Sequence, residues 1–136
     1  MRRVVVTGLG IVSSIGNNAA EVKASLKAGT SGIVASPEMA EHGIRSRVAG
    51  TLKLDPAALI DKRTYRFMGP GAAYAYLAMG QAIEDAGLAE DVISNPRTGL
   101  VAGSGGPSTS AMLSAHEVVK DTGATKRIGP FAVPKC

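Results

Sequence analysis

The β-branched run Val4-Val5-Val6-Thr7 reads as a strand buried on both faces, because no charged side chain interrupts it. It breaks at Gly8 and Gly10, resumes as Ile11-Val12, and stops at Gly16-Asn17-Asn18, where a helix can begin. Thr98-Gly-Leu-Val-Ala102 reads as a second apolar strand, entering a glycine-rich turn and then a helix. Strands feeding helices place the chain in the α/β class. Two such strands cannot by themselves make a parallel sheet covered on both faces. Their partners are expected from residues after Cys136 or from another chain, so the fold is expected to be incomplete on its own.

The helices carry clearer local signals. Asn18-Ala-Ala-Glu21 has the form of a cap, with Glu21 placed to return to the cap backbone. Ala19, Val22 and Leu26 then share a face, and Gly29 supplies a left-handed stop. Residues 30–55 show no sustained period, although Val48 to Leu54 could supply a short strand. Asp55-Pro56 reads as cap and first position of a short helix through Ile60. The strongest helix spans Gly69 to Leu88, with Pro70 early and Gly87-Leu88 at its end. Its lining of Ala72, Ala73, Ala75, Ala78, Gly80, Ala82 and Ala86 predicts close neighbours and burial on most sides. A third helix is expected from about Ser108 to Lys120, closed by Thr122-Gly123. The tail Ile128 to Cys136, with Pro130 and Pro134, reads as extended.

Composition narrows the function classes. At 136 residues the chain is one domain or part of one, and 45% hydrophobic with 19% charged residues is ordinary for a globular protein. No apolar stretch is long enough to span a bilayer, so no membrane insertion is expected. Met1-Arg-Arg3 resembles the start of a signal peptide, but Thr7, Gly8 and Gly10 break the following run and no cleavage pattern is present. The single cysteine excludes an internal disulfide and fits a reducing cytoplasm. A net charge of +4 allows an acidic partner without arguing for nucleic acid.

Gly8 and Gly10 after a strand invite a dinucleotide-binding module. That fingerprint needs a third glycine where Ser13 stands and an acidic residue ending a second strand, and neither is present. The better reading is a bend with close helix–strand contact. Gly103-Ser-Gly-Gly106 before a helix could cradle an anion, yet Pro107 and Ser108 occupy the place of a P-loop lysine. A tight turn without ligand is the other reading, and both stay open. Nothing in Phe131-Ala-Val-Pro-Lys135 supplies a base for Cys136, which fits a small hydrophobe. His42 reads as a loop residue and His116 as a helix-surface one, neither with metal-ligand spacing, so no metal or other cofactor is expected.

The opening strand, with Ser13-Ser14-Ile15-Gly16-Asn17, resembles the β-ketoacyl-acyl carrier protein synthases, and their type I bacterial branch above all. Leu59-Ile-Asp-Lys-Arg63, Arg66-Phe-Met68, Ala82-Ile-x-Asp-Ala-Gly-Leu88 and Gly129-Pro130 extend the resemblance over the whole chain, which matches well under half of a family member. It implies the N-terminal portion, residues 1–136, of a ketoacyl synthase domain with the layered αβαβα thiolase-like fold. It also implies an acyltransferase of fatty acid synthesis, working as a homodimer in the cytoplasm with acyl carrier protein as partner. Gly106, Met112 and Val133 match residues lining the acyl slot, the last two reaching across the dimer. Arg63, Arg66 and Lys126 match basic positions that dock the acidic carrier. The family's nucleophilic cysteine and two histidines would lie beyond Cys136, so no catalytic residue is expected here. The rival reading is a catalytically inert interaction fragment.

The two buried-type strands and the small-residue helix lead to one expectation about self-sufficiency. Unpaired strand edges promote association, so the isolated 136-residue chain is expected to give no cooperative urea transition. A sharp two-state curve from a monomer would contradict it.

Overall fold

A computed structural model describes residues 2–136 and divides them into two units. The first runs through Leu54 and takes in Ala78–Gly87. It contains helix α1 (Ala19–Ala28), strand β1 (Ile33–Ala35), helix α2 (Pro37–Glu41) and strand β2 (Val48–Gly50). It also holds the second half of the long helix, which begins at Pro70 in the other unit and ends at Ala86.

The expected opening strand does not form a ladder. Val4, Val5 and Val6 are 92%, 71% and 86% exposed, because no other strand among the described residues pairs with them. The adjoining segment, Gly8 to Ile11, packs on a helix instead. A Cβ on Gly8 would run into the Ala82 carbonyl and come within 2.8 Å of Ala86, and one on Gly10 would strike the Ala78 carbonyl. The absence of side chains therefore lets two backbones touch, as the bend-and-contact reading expected. The amides that a strand partner would have taken go to helix side chains. Leu9 N donates to Asp85 Oδ2 at 2.9 Å and Ile11 N to Gln81 Oε1 at 3.1 Å.

Helix α1 begins as expected, with Asn18 Oδ1 accepting from the Glu21 amide at 2.9 Å. The return contact differs by one residue. The Glu21 carboxylate accepts from the Asn17 amide at 2.8 Å and from the Asn18 side-chain amide at 2.8 Å. Gly29, at φ 65°, ends the helix in the left-handed region, where a Cβ is penalised. Val22 carries the buried face. β1 and β2 pair antiparallel with Ile33 opposite Gly50 and Ala35 opposite Val48, so only the start of the expected 48–54 strand is formed.

The second unit comprises Asp55–Leu77 and Leu88–Cys136. Helix α3 (Pro56–Leu59) is capped by Asp55, and α4 (Lys62–Tyr65) by Asp61, whose Oδ2 accepts from the amides of Arg63 and Thr64. Helix α5 (Pro70–Ala86) starts here. Further on lie α6 (Glu90–Ile93) and α7 (Thr109–Thr122), the latter capped by Ser108 and closed by Gly123 at φ 63°. Ile60 and Ala73 form the small core of this unit.

Three expectations fail in this unit and along α5. The 98–103 segment forms no ladder, and Leu100 and Val101 are 72% and 97% exposed for the same want of a neighbouring strand. Burial of α5 is one-sided. Ala73 is fully buried, while Tyr76 and Met79 are 51% and 42% exposed. The tail is not extended. It forms a 3-10 turn (Thr125–Arg127) and helix α8 (Ala132–Lys135). Pro134 is tolerated because it lies in the first turn of α8, where no amide has an intrahelical partner.

The close approach at Gly10 yields a direct test. In the full-length protein, Gly10→Ala forces the 8–11 segment off the helix and is expected to destabilise the fold by about 1–3 kcal/mol, the usual cost of overpacking. Thermal melting, with faster exchange of the Leu9 and Ile11 amides, checks it.

Candidate functional site

Arg63, Arg66, Gly106, Met112, Lys126 and Val133 all lie in the second unit. Arg63 is in α4 and exposed, its backbone fixed by the Asp61 cap. Arg66 stands at the C-cap of α4, its amide donating to the Lys62 carbonyl at 3.3 Å. Its guanidinium carbon lies 4.8 Å from the Phe67 ring centre and 5.2 Å from that of Phe131. The two rings meet edge to face, with centroids 5.0 Å apart and planes at 89°. Lys126 is exposed on the 3-10 turn.

The apolar side of the unit contains two concavities. One, of about 430 Å³, is walled by Tyr65 and Met68 from the α4 end, Ala111, Ser114 and Val118 from α7, and Ile128 and Phe131 from the tail. The other, of about 680 Å³, lies between Gly103–Ser104–Gly106, the start of α5 and the tail residues Pro134 to Cys136. Gly106 lines the second. Met112 and Val133 line neither, and stand 50% and 86% exposed. The three expected slot residues therefore do not share either of these concavities.

The hydrogen bonding bears on both glycine turns. Ser104 Oγ donates to the Gly106 carbonyl at 2.7 Å and accepts from the Gly106 amide at 3.4 Å, so the turn closes on itself. That geometry favours the ligand-free turn over an anion cradle at Gly106. At Gly8 and Gly10 the neighbouring backbone of α5 fills the space that a pyrophosphate would need, and the nucleotide-module reading is dropped.

Cys136 is an exposed free thiol. Its backbone ties the tail to α7, since the Ser108 amide donates to the Cys136 carbonyl at 3.1 Å. His42 caps the C-terminus of α2 and His116 is exposed on α7. Among the described residues no group of three or more His, Cys, Asp or Glu side chains comes together to hold a metal. Among them, too, no helix is long and apolar enough to cross a membrane.

Sequence reasoning missed Phe67 and Phe131 as neighbours of Arg66. Phe67 adjoins it in sequence, but nothing local marks Phe131. It also missed Gly69, where a Cβ would strike the Lys135 carbonyl and lie 3.0 Å from Ser108 Cβ.

The sequence profile of the β-ketoacyl synthase N-terminal domain matches residues 1–135. The chain is 58% identical over 135 residues to 3-oxoacyl-[acyl-carrier-protein] synthase 1 of Haemophilus influenzae, covering 99% of this chain and 33% of that protein. It is 49% identical over 136 residues to the Escherichia coli protein of the same name, covering 99% of this chain and 34% of that one. Among solved structures, the ishigamide ketosynthase/chain length factor superposes with a TM-score of 0.83 at 28% identity, over 98% of this chain and 34% of that chain. The chain thus spans about a third of the length of the relatives it matches, and its α/β architecture is that of the N-terminal part of the thiolase-like fold.

The exposure of Cys136, without a placed base, sets an expectation for its chemistry. Iodoacetamide is expected to alkylate it, whereas incubation of the chain with a long-chain acyl thioester leaves its mass unchanged. An acyl mass gain mapped to Cys136 would assign it the nucleophile's part.

Proposed function

The chain belongs to the β-ketoacyl synthase family through its N-terminal domain, and on that premise we propose that it serves a condensing enzyme of fatty acid synthesis. The observation that carries this reading is identity of 58% maintained over essentially the whole chain. In the proposed reaction an acyl group passes to a cysteine thiolate. Malonyl-carrier protein then loses CO2, and the resulting carbanion attacks the acyl thioester carbonyl and expels the thiolate. That step needs a water-poor slot and hydrogen-bond donors aimed at the developing oxyanion. None of the residues identified in this chain performs it.

The chain's own contribution is binding. Gly106, Met112 and Val133 are proposed to line the acyl slot, the last two from the partner subunit of a homodimer acting in the cytoplasm. The outward exposure of Met112 and Val133 supports that assignment. Arg63, Arg66 and Lys126 are proposed to dock acyl carrier protein. All three are exposed on one unit, and clustered cations steer an acidic partner and grip its carboxylates.

Exposed ion pairs contribute at most about 1 kcal/mol each, so the docking face works by number. In the full-length enzyme, Arg63→Ala with Lys126→Ala is expected to raise KM for carrier-bound substrate by about three- to tenfold at low salt. High salt should erase most of the difference. A small acyl thioester without carrier should be processed almost as before. Equal losses with both substrates would remove the docking assignment.

A further inference from the structure

Arg63 and Arg66 are near neighbours in sequence, yet their surroundings differ in kind. Arg63 stands exposed on α4, whereas the Arg66 guanidinium lies over two aromatic rings, one of them from the far end of the chain. We infer that Arg66 is a positioning residue: through Phe131 it latches the 128–136 tail, which carries Val133, to the α4 end of the unit. The meaning given to Val133 rests on the proposed condensing function, but the latch itself is read from contacts.

Three close contacts hold that tail, beside its packing against α7. The Arg66 guanidinium and the Phe67 ring meet the Phe131 ring. Gly69 packs with no space for a Cβ against the Lys135 carbonyl. The Ser108 amide bonds the Cys136 carbonyl at 3.1 Å. The last two are backbone contacts and fix the end of the tail near Lys135 and Cys136. The aromatic contact acts nearer its start, where α8 also packs against α7, and Phe131 is two residues from Val133. Phe131 also walls the 430 Å³ concavity with Ile128, Tyr65 and Met68, so freeing the ring opens that wall.

Arginine suits this position. A planar guanidinium stacks on rings while its N–H edges stay available, whereas an ammonium is a compact, strongly hydrated charge. Phe131 in turn meets Phe67 edge to face and offers a ring face to the cation. One side chain can therefore belong to the docking face and hold the tail at once.

The test uses the full-length enzyme with hydrogen exchange and acyl-length preference as separate readouts. Arg66→Met keeps length and apolar cover but removes the cation, Arg66→Lys keeps the charge, and Phe131→Leu removes the ring. Arg66→Met and Phe131→Leu should each quicken exchange of the amides of residues 132–136 about two- to fivefold, the effect that a single exposed cation–ring contact carries. Arg66→Lys should restore only part of the protection, because an ammonium replaces the stacked guanidinium poorly, and the Arg66→Met/Phe131→Leu double variant should be no worse than the worse single one. The ratio of kcat/KM for a long-chain over a short-chain thioester should fall by a similar factor in both single variants, where general instability would lower both substrates alike. Parental exchange rates in Arg66→Met overturn the latch, as do single effects that simply multiply in the double variant. An unchanged long-to-short ratio overturns the link to the acyl slot. Quickened exchange that persists while the carrier-docking test fails upholds the latch and strikes the docking reading alone.

Discussion

The contact on which the first unit depends is backbone against backbone, where Gly8 and Gly10 meet α5 at Ala78, Ala82 and Ala86. Only at a pair of glycines facing alanines can a chain come this near to a helix. The proximity then lets Asp85 and Gln81 reach the amides of Leu9 and Ile11. Gln81 is engaged at both ends, because its Nε2 donates to the Asn17 carbonyl at 2.7 Å. One side chain thus holds the segment where it meets the helix and where it turns towards α1. Asn17 is fixed from three sides, by Gln81, by the Glu21 carboxylate and by its place before the α1 cap. Its Oδ1, buried without a partner, is the polar cost of that arrangement.

The legible part of the sequence is local. Asn18, Asp55 and Ser108 cap the helices they are expected to start, and Gly29, Gly87 and Gly123 take the positive φ that ends them. Each of these choices is decided within four or five residues, by a side-chain oxygen near an orphan amide or by the lack of a Cβ. The strands are not legible in the same sense. Val4 to Val6 and Leu100-Val101 have the composition of buried strands, but a ladder is a property of two segments. The composition states a demand for a neighbouring edge and cannot say which segment meets it. The tail misleads for a related reason: two prolines suggest extension, while the carbonyls of Gly129, Phe131 and Ala132 find amides one turn ahead.

The candidate site divides along the same line. Gly106 and Ser104 are legible as a turn, because the turn is made within four residues and closed by its own serine. Arg63 and Arg66 are legible as neighbours by helical spacing. Their difference is not, since it depends on a phenylalanine brought in from the far end of the unit. Met112 and Val133 come from family resemblance alone, and both stand exposed.

The exposed apolar residues are a consequence of these constraints. A run such as Val4-Val5-Val6 forfeits roughly 25 cal/mol for every Å² of apolar surface left in water. One-sided burial of α5, with Tyr76 and Met79 open, makes the same demand on a helix face. The favourable energy in this chain is therefore concentrated in a few close contacts: the glycine–alanine crossing in one unit, and the tail contacts at Gly69, Ser108 and Phe131 in the other. With few contacts sharing the load, a change of one methyl group at Gly10 or Gly69 acts directly on the backbone. A change on the exposed face of α5, at Tyr76 or Met79, disturbs less among the described residues.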